Sequence, residues 1–364
     1  MSMNKKIISF LIAGLLLSGI TLYVTFKNIP IPELVDYLKS VNYWWVIPAV
    51  VIALMSFLIR VVRWRLLLNP VKKTGFWSAY HPLMIGFMIN CVLPGRVGEL
   101  ARPAIFYKNE RVAFSKVLAT VGAERVFDVV VLLLSFVFVL TAVEISPTLD
   151  LVFGEYHLNK ATLEMIAMTT LKLSLGLIAC IFLVSLRQGR RFIKRVILGL
   201  PGLLFWAGGP FKENIREKVC TKLVHIIDNV AAGLDLLKNP KKVCLCLGLS
   251  FLVWAVAGVS YYVMAFGCPG IEISFLEMYT TMVILCFFIS LPSVPGFWGL
   301  WEAGGVFGLL IFGVSAKEAA GFTLANHVFQ MVPVIIAGLV SSVIIGINVV
   351  RVAYGDIDIS DQAP

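Results

Sequence analysis

Long apolar runs restrict this chain to very few folds. Ile7–Phe26 contains no charged residue, and further runs poor in charge lie at about 44–62, 126–143, 164–186, 243–266 and 320–348. About 20 such residues, coiled as a helix, cross the hydrocarbon of a bilayer, where each backbone N–H and C=O must be satisfied within its own segment. The sequence therefore predicts an all-α, polytopic, integral membrane helix bundle. Composition agrees: 14% of residues are charged, against roughly 25% in soluble domains. The run from Ile7 follows Lys5 and Lys6, exceeds a signal-peptide core and has no A-x-A pattern after it, so it reads as an uncleaved first helix.

Two more apolar stretches, 76–93 and 278–313, are each interrupted by Pro-Gly, and the interruptions match. Pro94-Gly95-Arg96-Val97-Gly98 returns as Pro295-Gly296-Phe297-Trp298-Gly299, 201 positions later. Ala123-Glu124-Arg125-Val126-Phe127-Asp128 returns as Ala325-Asn326-His327-Val328-Phe329-Gln330, 202 positions later. Two matches at nearly one offset predict two related repeats, about 44–143 and 243–348. Both would belong to a single membrane domain, 1–350, joined by a stretch at 187–242 and followed by a tail at 351–364. Ser290, Pro292, Ser293 and Pro295 support a broken segment rather than a continuous helix at the second motif.

The net charge of +10 has a topological reading. Arg60, Arg63, Arg65, Lys72 and Lys73 fall at 60–75 with no acid, and Arg187, Arg190, Arg191, Lys194 and Arg195 lie close together. The 144–160 stretch carries Glu144, Asp150 and Glu155 against Lys160. The basic stretches and both termini are expected in the cytoplasm, the acidic stretch outside, and the protein in the cell's inner (plasma) membrane. Nucleic acid is not an expected partner. With 60–75 and the basic 96–116 on one side, 76–93 would enter and return as a re-entrant segment. Three crossings later the second broken segment would enter from the opposite face, which makes the repeats inverted. If 76–93 spans fully, the repeats are parallel instead. Between them, Ile215, Val219, Leu223, Ile226, Val230, Leu234 and Leu237 recur at helical spacing behind Trp206. That stretch suits an amphipathic helix on anionic lipid or a loop packed under the bundle.

The charged residues at the motifs are the candidate site. Arg96, Glu99 and Arg102 follow the first Pro-Gly, where a broken helix exposes N–H groups that favour anions, and a guanidinium offers a planar fork of donors to phosphate. Glu124 and Asp128, four apart beside Arg125, share a helix face at the head of an apolar run. They are either intramembrane functional groups or interfacial acids at a helix N-terminus. In the second half Glu302 is the surviving acid, for which the first-motif arginines are the expected partners. His327 could titrate near neutral pH or act as a hydrogen-bonded structural residue. The seven cysteines are scattered and read as small buried hydrophobes. No metal-ligand spacing, nucleophile–base pair or phosphate-binding P-loop is visible, so no cofactor and no enzymatic activity are expected.

The strings PGRVGELARP, AERVFD and SVPGFWGLWEAGG resemble the flippase-like membrane family named for the lysylphosphatidylglycerol synthase transmembrane region, from about residue 7 to 350. The resemblance implies a bundle that translocates lipids, as in the membrane half of bacterial lysyl-lipid synthases. Other relatives stand alone, some beside polyprenyl-linked glycan pathways. It also implies roles for Arg96, Glu99, Arg102, Glu124, Arg125, Asp128 and Glu302. The aminoacyl-transferase domain of the two-part synthases does not follow here, so lysyl transfer is not carried over. The leading expectation is a translocase moving an anionic phospholipid or polyprenyl phosphate through a polar cavity between the repeats. The alternative is a non-transporting membrane partner that positions a lipid-modifying enzyme or glycosyltransferase.

Overall fold

The computed structural model describes residues 5–142 apart from 28 and 94, then 150–153, 156–159, 187–203, and 239–349 apart from 291–294, with single positions between 168 and 228. Among these residues the regular structure is helical except for one antiparallel hairpin, Asp150–Phe153 against Tyr156–Asn159. The helices are α1 Lys5–Phe26, α2 Ile31–Ser40, α3 Val46–Leu68, α4 Phe76–Val92, α5 Gly98–Glu110, α6 Phe114–Ala142, α7 Arg187–Gly199, α8 Pro240–Ala265, α9 Phe275–Ile289, α10 Leu300–Ile311 and α11 Ala316–Ile344. Tyr43–Leu68, Pro240–Ala265 and Ala316–Ile344 are long and apolar enough to cross a membrane. Local chemistry sets the starts. Asn239 accepts from the Lys242 N–H with Pro240 at the first turn, Ser274 and Glu277 form a capping box, and Ser315 caps α11.

Helix lengths follow the same series twice. Helices α3 to α6 have 23, 17, 13 and 29 residues, and α8 to α11 have 26, 15, 12 and 29. Each Pro-Gly motif forms the apex of an antiparallel helical hairpin, α4–α5 in the first half and α9–α10 in the second. At the first apex Gly95 and Arg96 both have positive φ, 75° and 54°; at the second, Gly296 and Phe297 have 68° and 61°. The chain reverses there through left-handed backbone that glycine adopts without strain, while Arg96 and Phe297 adopt it at a cost. Close approach holds each hairpin shut. A Cβ on Gly98 would collide with the Gly86 carbonyl, and a Cβ on Gly308 with Thr281.

The bases of the two hairpins lie at opposite ends of α3. At its start, the Asn42 N–H donates to the Gly267 carbonyl beside the loop that leads into α9 (2.8 Å), and Tyr37 of α2 donates to Pro269 (3.0 Å). At its end, Lys72 pairs with Glu110, the last residue of α5 (2.7 Å), and this contact holds the Glu110 carboxyl below its ordinary range. Some 35 Å of helix separates the two bases, from the helical rise of about 1.5 Å per residue. The apices meet in between: Arg96 Nη2 donates to the Ile289 carbonyl (2.8 Å), and its guanidinium lies 5.8 Å from the Phe297 ring centre. Helix α4 packs along α11, and α9 packs along α6, so each hairpin rests on the last long helix of the other half. Helix α1 closes one side, where Ser18 Oγ donates to the Trp298 carbonyl (2.6 Å).

Two boundaries differ from the sequence expectation, and both move charge. Helix α3 runs to Leu68 rather than 62, so Arg60 and Arg63 are buried side chains within a helix, not cations of a loop. Helix α6 begins at Phe114, twelve residues before 126, so Glu124 and Asp128 lie in its interior rather than at an N-terminus. The hydropathy dip caused by these charges hid the helix continuity. The expected span at 164–186, Trp206, the amphipathic stretch at 215–237, Pro292 and Ser293, and the tail at 351–364 lie outside the described residues or are described only at single positions. The basic cluster at 187–195 is helical, as α7, with Phe192 and Val196 exposed.

Candidate functional site

The interior of the first half is an ion cluster. Arg63, with no exposed surface, donates from Nη1 to Asp128 Oδ1 (2.6 Å) and Ser250 Oγ (2.5 Å), and from Nη2 to Glu124 Oε1 (2.9 Å). Spacing explains the fit. Glu124 and Asp128 are one helical turn apart on α6, so both carboxylates face one guanidinium fork from α3. Arg102 of α5 reaches the far oxygen of Glu124 (2.7 Å) and lies over Trp64, 3.5 Å from the ring centre. Arg125 contacts Asp128 (3.2 Å) and Glu124 (3.4 Å). Arg60 stands 3.5 Å from Asp128 and lies near the rings of Trp254, Phe87 and Phe57. The Trp254 N–H completes the set by donating to Asp128 (3.2 Å).

Four guanidinium groups therefore meet two carboxylates. Aromatic faces stand where further acids would balance them, a weaker compensation for buried positive charge. Several polar atoms stay without a hydrogen-bond partner: the donors Arg60 Nε, Arg63 Nε, Arg125 Nε and both Nε and Nη2 of Arg102, and one acceptor, Glu124 Oε2, whose contact with Arg102 is an ion pair. Glu99, on the wall of the same cavity, is a third acid near Arg125 and Arg96, and the guanidinium groups still outnumber the carboxylates.

The second half has the same frame with neutral groups. Gln330, at the Asp128 position, donates to Ser260 on α8 (2.8 Å) and to Asn326, at the Glu124 position (3.4 Å). His327, at the Arg125 position, turns the other way. Its Nδ1 is 2.6 Å from Glu302 Oε1 and its Nε2 is 2.7 Å from the Gly296 carbonyl. The ring lies between Trp298 and Trp301, 4.4 Å and 4.5 Å from their centres. Glu302 also reaches back to the Gly299 N–H (2.7 Å) at the start of α10. Its partner is thus His327, not an arginine of the first motif. Of the first-motif arginines, Arg102 pairs with Glu124 and Arg96 donates to the Ile289 carbonyl, while Glu302 is taken up by His327 and the Gly299 N–H.

Between the halves lies a cavity of about 300 Å³. Of the residues singled out by sequence, Arg96, Glu99, Arg125, Asp128 and His327 line it, Arg102 and Glu124 support Arg63 and Arg125 from behind, and Glu302 sits behind His327. Sequence reasoning missed Arg60, Arg63, Ser250 and Trp254. The available signal was complementarity: arginines three apart in one apolar run and acids four apart in another, each set on a single helix face. Among the described residues, no group of three or more His, Cys, Asp or Glu side chains could hold a metal.

The arrangement has a counterpart among known families. The family model described as the lysylphosphatidylglycerol synthase TM region matches residues 11–338. A UPF0104 membrane protein of Pyrococcus horikoshii is 24% identical over 311 residues, covering 81% of this chain and 85% of the relative. No solved structure matches. The matched span holds both Pro-Gly apices, the ion cluster and the cavity between them: this chain belongs to the lysylphosphatidylglycerol synthase transmembrane-region family of membrane proteins.

Proposed function

We propose that this protein is a lipid translocase of the cell's inner membrane, moving a lipid by its anionic phosphate headgroup through the cavity between two inverted repeats. The N-terminus and the Lys72–Glu110 end are cytoplasmic in this reading, and the two helical hairpins are re-entrant segments that meet in mid-membrane. The headgroup enters the cavity while its chains stay in the bilayer, and no bond of the lipid is made or broken. The observation that carries the reading is the unbalanced cluster of four guanidinium groups, opening through Arg60 and Arg125 on a cavity that both halves line and to which Arg96 adds a further guanidinium. Buried positive charge of this kind calls for an anion. The opposed hairpin bases and the matching helix lengths support the inverted arrangement.

The test is reconstitution in liposomes with fluorescent lipids carrying either a phosphomonoester or a phosphodiester headgroup, read by quenching from outside. The folded protein moves at least one class between leaflets, and Arg96→Ala slows it about tenfold or more, as the loss of a charge-assisted hydrogen bond implies. If folded protein moves neither class, the reading is wrong. Deleting α7 separates it from a docking role. Loss of cellular function on α7 deletion with no loss on Arg96→Ala points to a non-transporting partner for a lipid-modifying enzyme.

A further inference from the structure

We infer that Glu302 and His327 form a proton-operated latch on the second apex, coupling proton binding to occupancy of the anion cavity. The inference rests on the translocase reading, and the geometry behind it is independent of the ion cluster. Both ring nitrogens of His327 face oxygen acceptors, Glu302 Oε1 at 2.6 Å and the Gly296 carbonyl at 2.7 Å. Satisfying both contacts takes two protons on the pair. Either the ring is an imidazolium beside a carboxylate, or a neutral ring with Nε2–H accepts from a protonated Glu302. The indole faces of Trp298 and Trp301 favour the imidazolium form.

Removing one proton breaks one of these bonds. The carboxylate is fixed by the Gly299 N–H, and its charge-assisted bond to Nδ1–H is the stronger of the two. The proton therefore leaves Nε2 for water entering the cavity, and a lone pair then faces the Gly296 oxygen. That oxygen belongs to the left-handed turn at Gly296 and Phe297, which carries stored strain. Unlatched, the turn shifts Phe297, and Phe297 is the ring against which Arg96 lies. The latch thus acts on a wall of the anion cavity through one residue.

Electrostatics links the two sites in both directions. An anion among the arginines favours the extra proton on the dyad; its departure leaves a positive field that favours release. Proton and headgroup would move together. Among the described residues, the other groups of a titratable type around His327 are Tyr261 from α8, Cys91 from α4 and Cys286 from α9, while α1 brings Ser18 and Thr21. The charged groups sharing the cavity are Arg60, Arg96, Glu99, Arg125 and Asp128.

Two measurements test the latch. In detergent, the indoles flanking His327 report its proton through quenching of tryptophan emission as the pH is varied. A transition is expected that is lost in His327→Gln and moved in Glu302→Gln. At fixed pH a short-chain phosphate lipid should quench wild-type emission further and leave His327→Gln unchanged. Emission that stays flat with pH, or that ignores the phosphate lipid, overturns the proposal. If His327→Gln does not fold, the wild-type titration and Glu302→Gln still decide. In liposomes an imposed pH gradient should drive the phosphate lipid in wild type only. Lipid movement indifferent to the gradient overturns the latch and leaves the translocase. Emission coupled to pH and lipid with no movement overturns the translocase and leaves the latch.

Discussion

Arg63 is the residue on which the interior of the first half depends. It is fully buried and bridges both interior acids, so its removal takes a charge-assisted bond from each at once and opens a cavity between α3 and α6, while Arg60, Arg102 and Arg125 stay beside them. Arg63→Ala should destabilise the protein by about 2–5 kcal/mol, the usual loss when a large buried side chain is cut back to alanine. Thermal unfolding in detergent would measure it. Arg63→Lys should recover only part of this, because an ammonium cannot span Glu124 and Asp128 with one planar fork. A change in the neutral cluster of the second half should be mild. Gln330→Ala costs the bonds to Ser260 and Asn326, about 1 kcal/mol each for neutral groups. A loss at Gln330 as large as that at Arg63 would refute the asymmetry between the halves.

The hairpins show how glycine spacing builds an element. Helices α4 and α5 touch backbone to backbone at Gly86 and Gly98, and the Asn90 side chain accepts from the Gly98 N–H (2.8 Å). Gly98→Ala should force the two helices apart and lose at least about 2 kcal/mol, as overpacking does. Gly122, with open space around it in α6, is the control: Gly122→Ala should be neutral or slightly stabilising through helix propensity. The hairpins were legible as Pro-Gly interruptions, and the turn residues declared themselves. Their pairing was not legible, because contacts such as Gly308 with Thr281 join positions whose relation only the closed hairpin reveals.

Over the whole molecule, the separation of the two hairpin bases is the testable architecture. A single cysteine at Lys73 should react with an impermeant thiol reagent from the face opposite to one at Glu272, in a background without native cysteines. Labelling of both from one face would refute the inverted arrangement. Much of this scale was written in the chain. The apolar runs committed it to helices in a bilayer, since about 20 apolar residues in a row satisfy their own backbone there as a helix, and the doubled motif marked the two hairpin apices and their unequal charge. The sequence by itself also singled out the residues of both apices, because charge in an apolar run is conspicuous. What it could not supply was partnership. Arg60 and Arg63 read as loop cations until α3 was seen to carry them inward, and Glu302 had no visible partner until α11 folded back against α10. Hydropathy and spacing are properties of one segment at a time. Which carboxylate meets which cation depends on how helices distant in sequence are packed, and that was decided only by the tertiary structure.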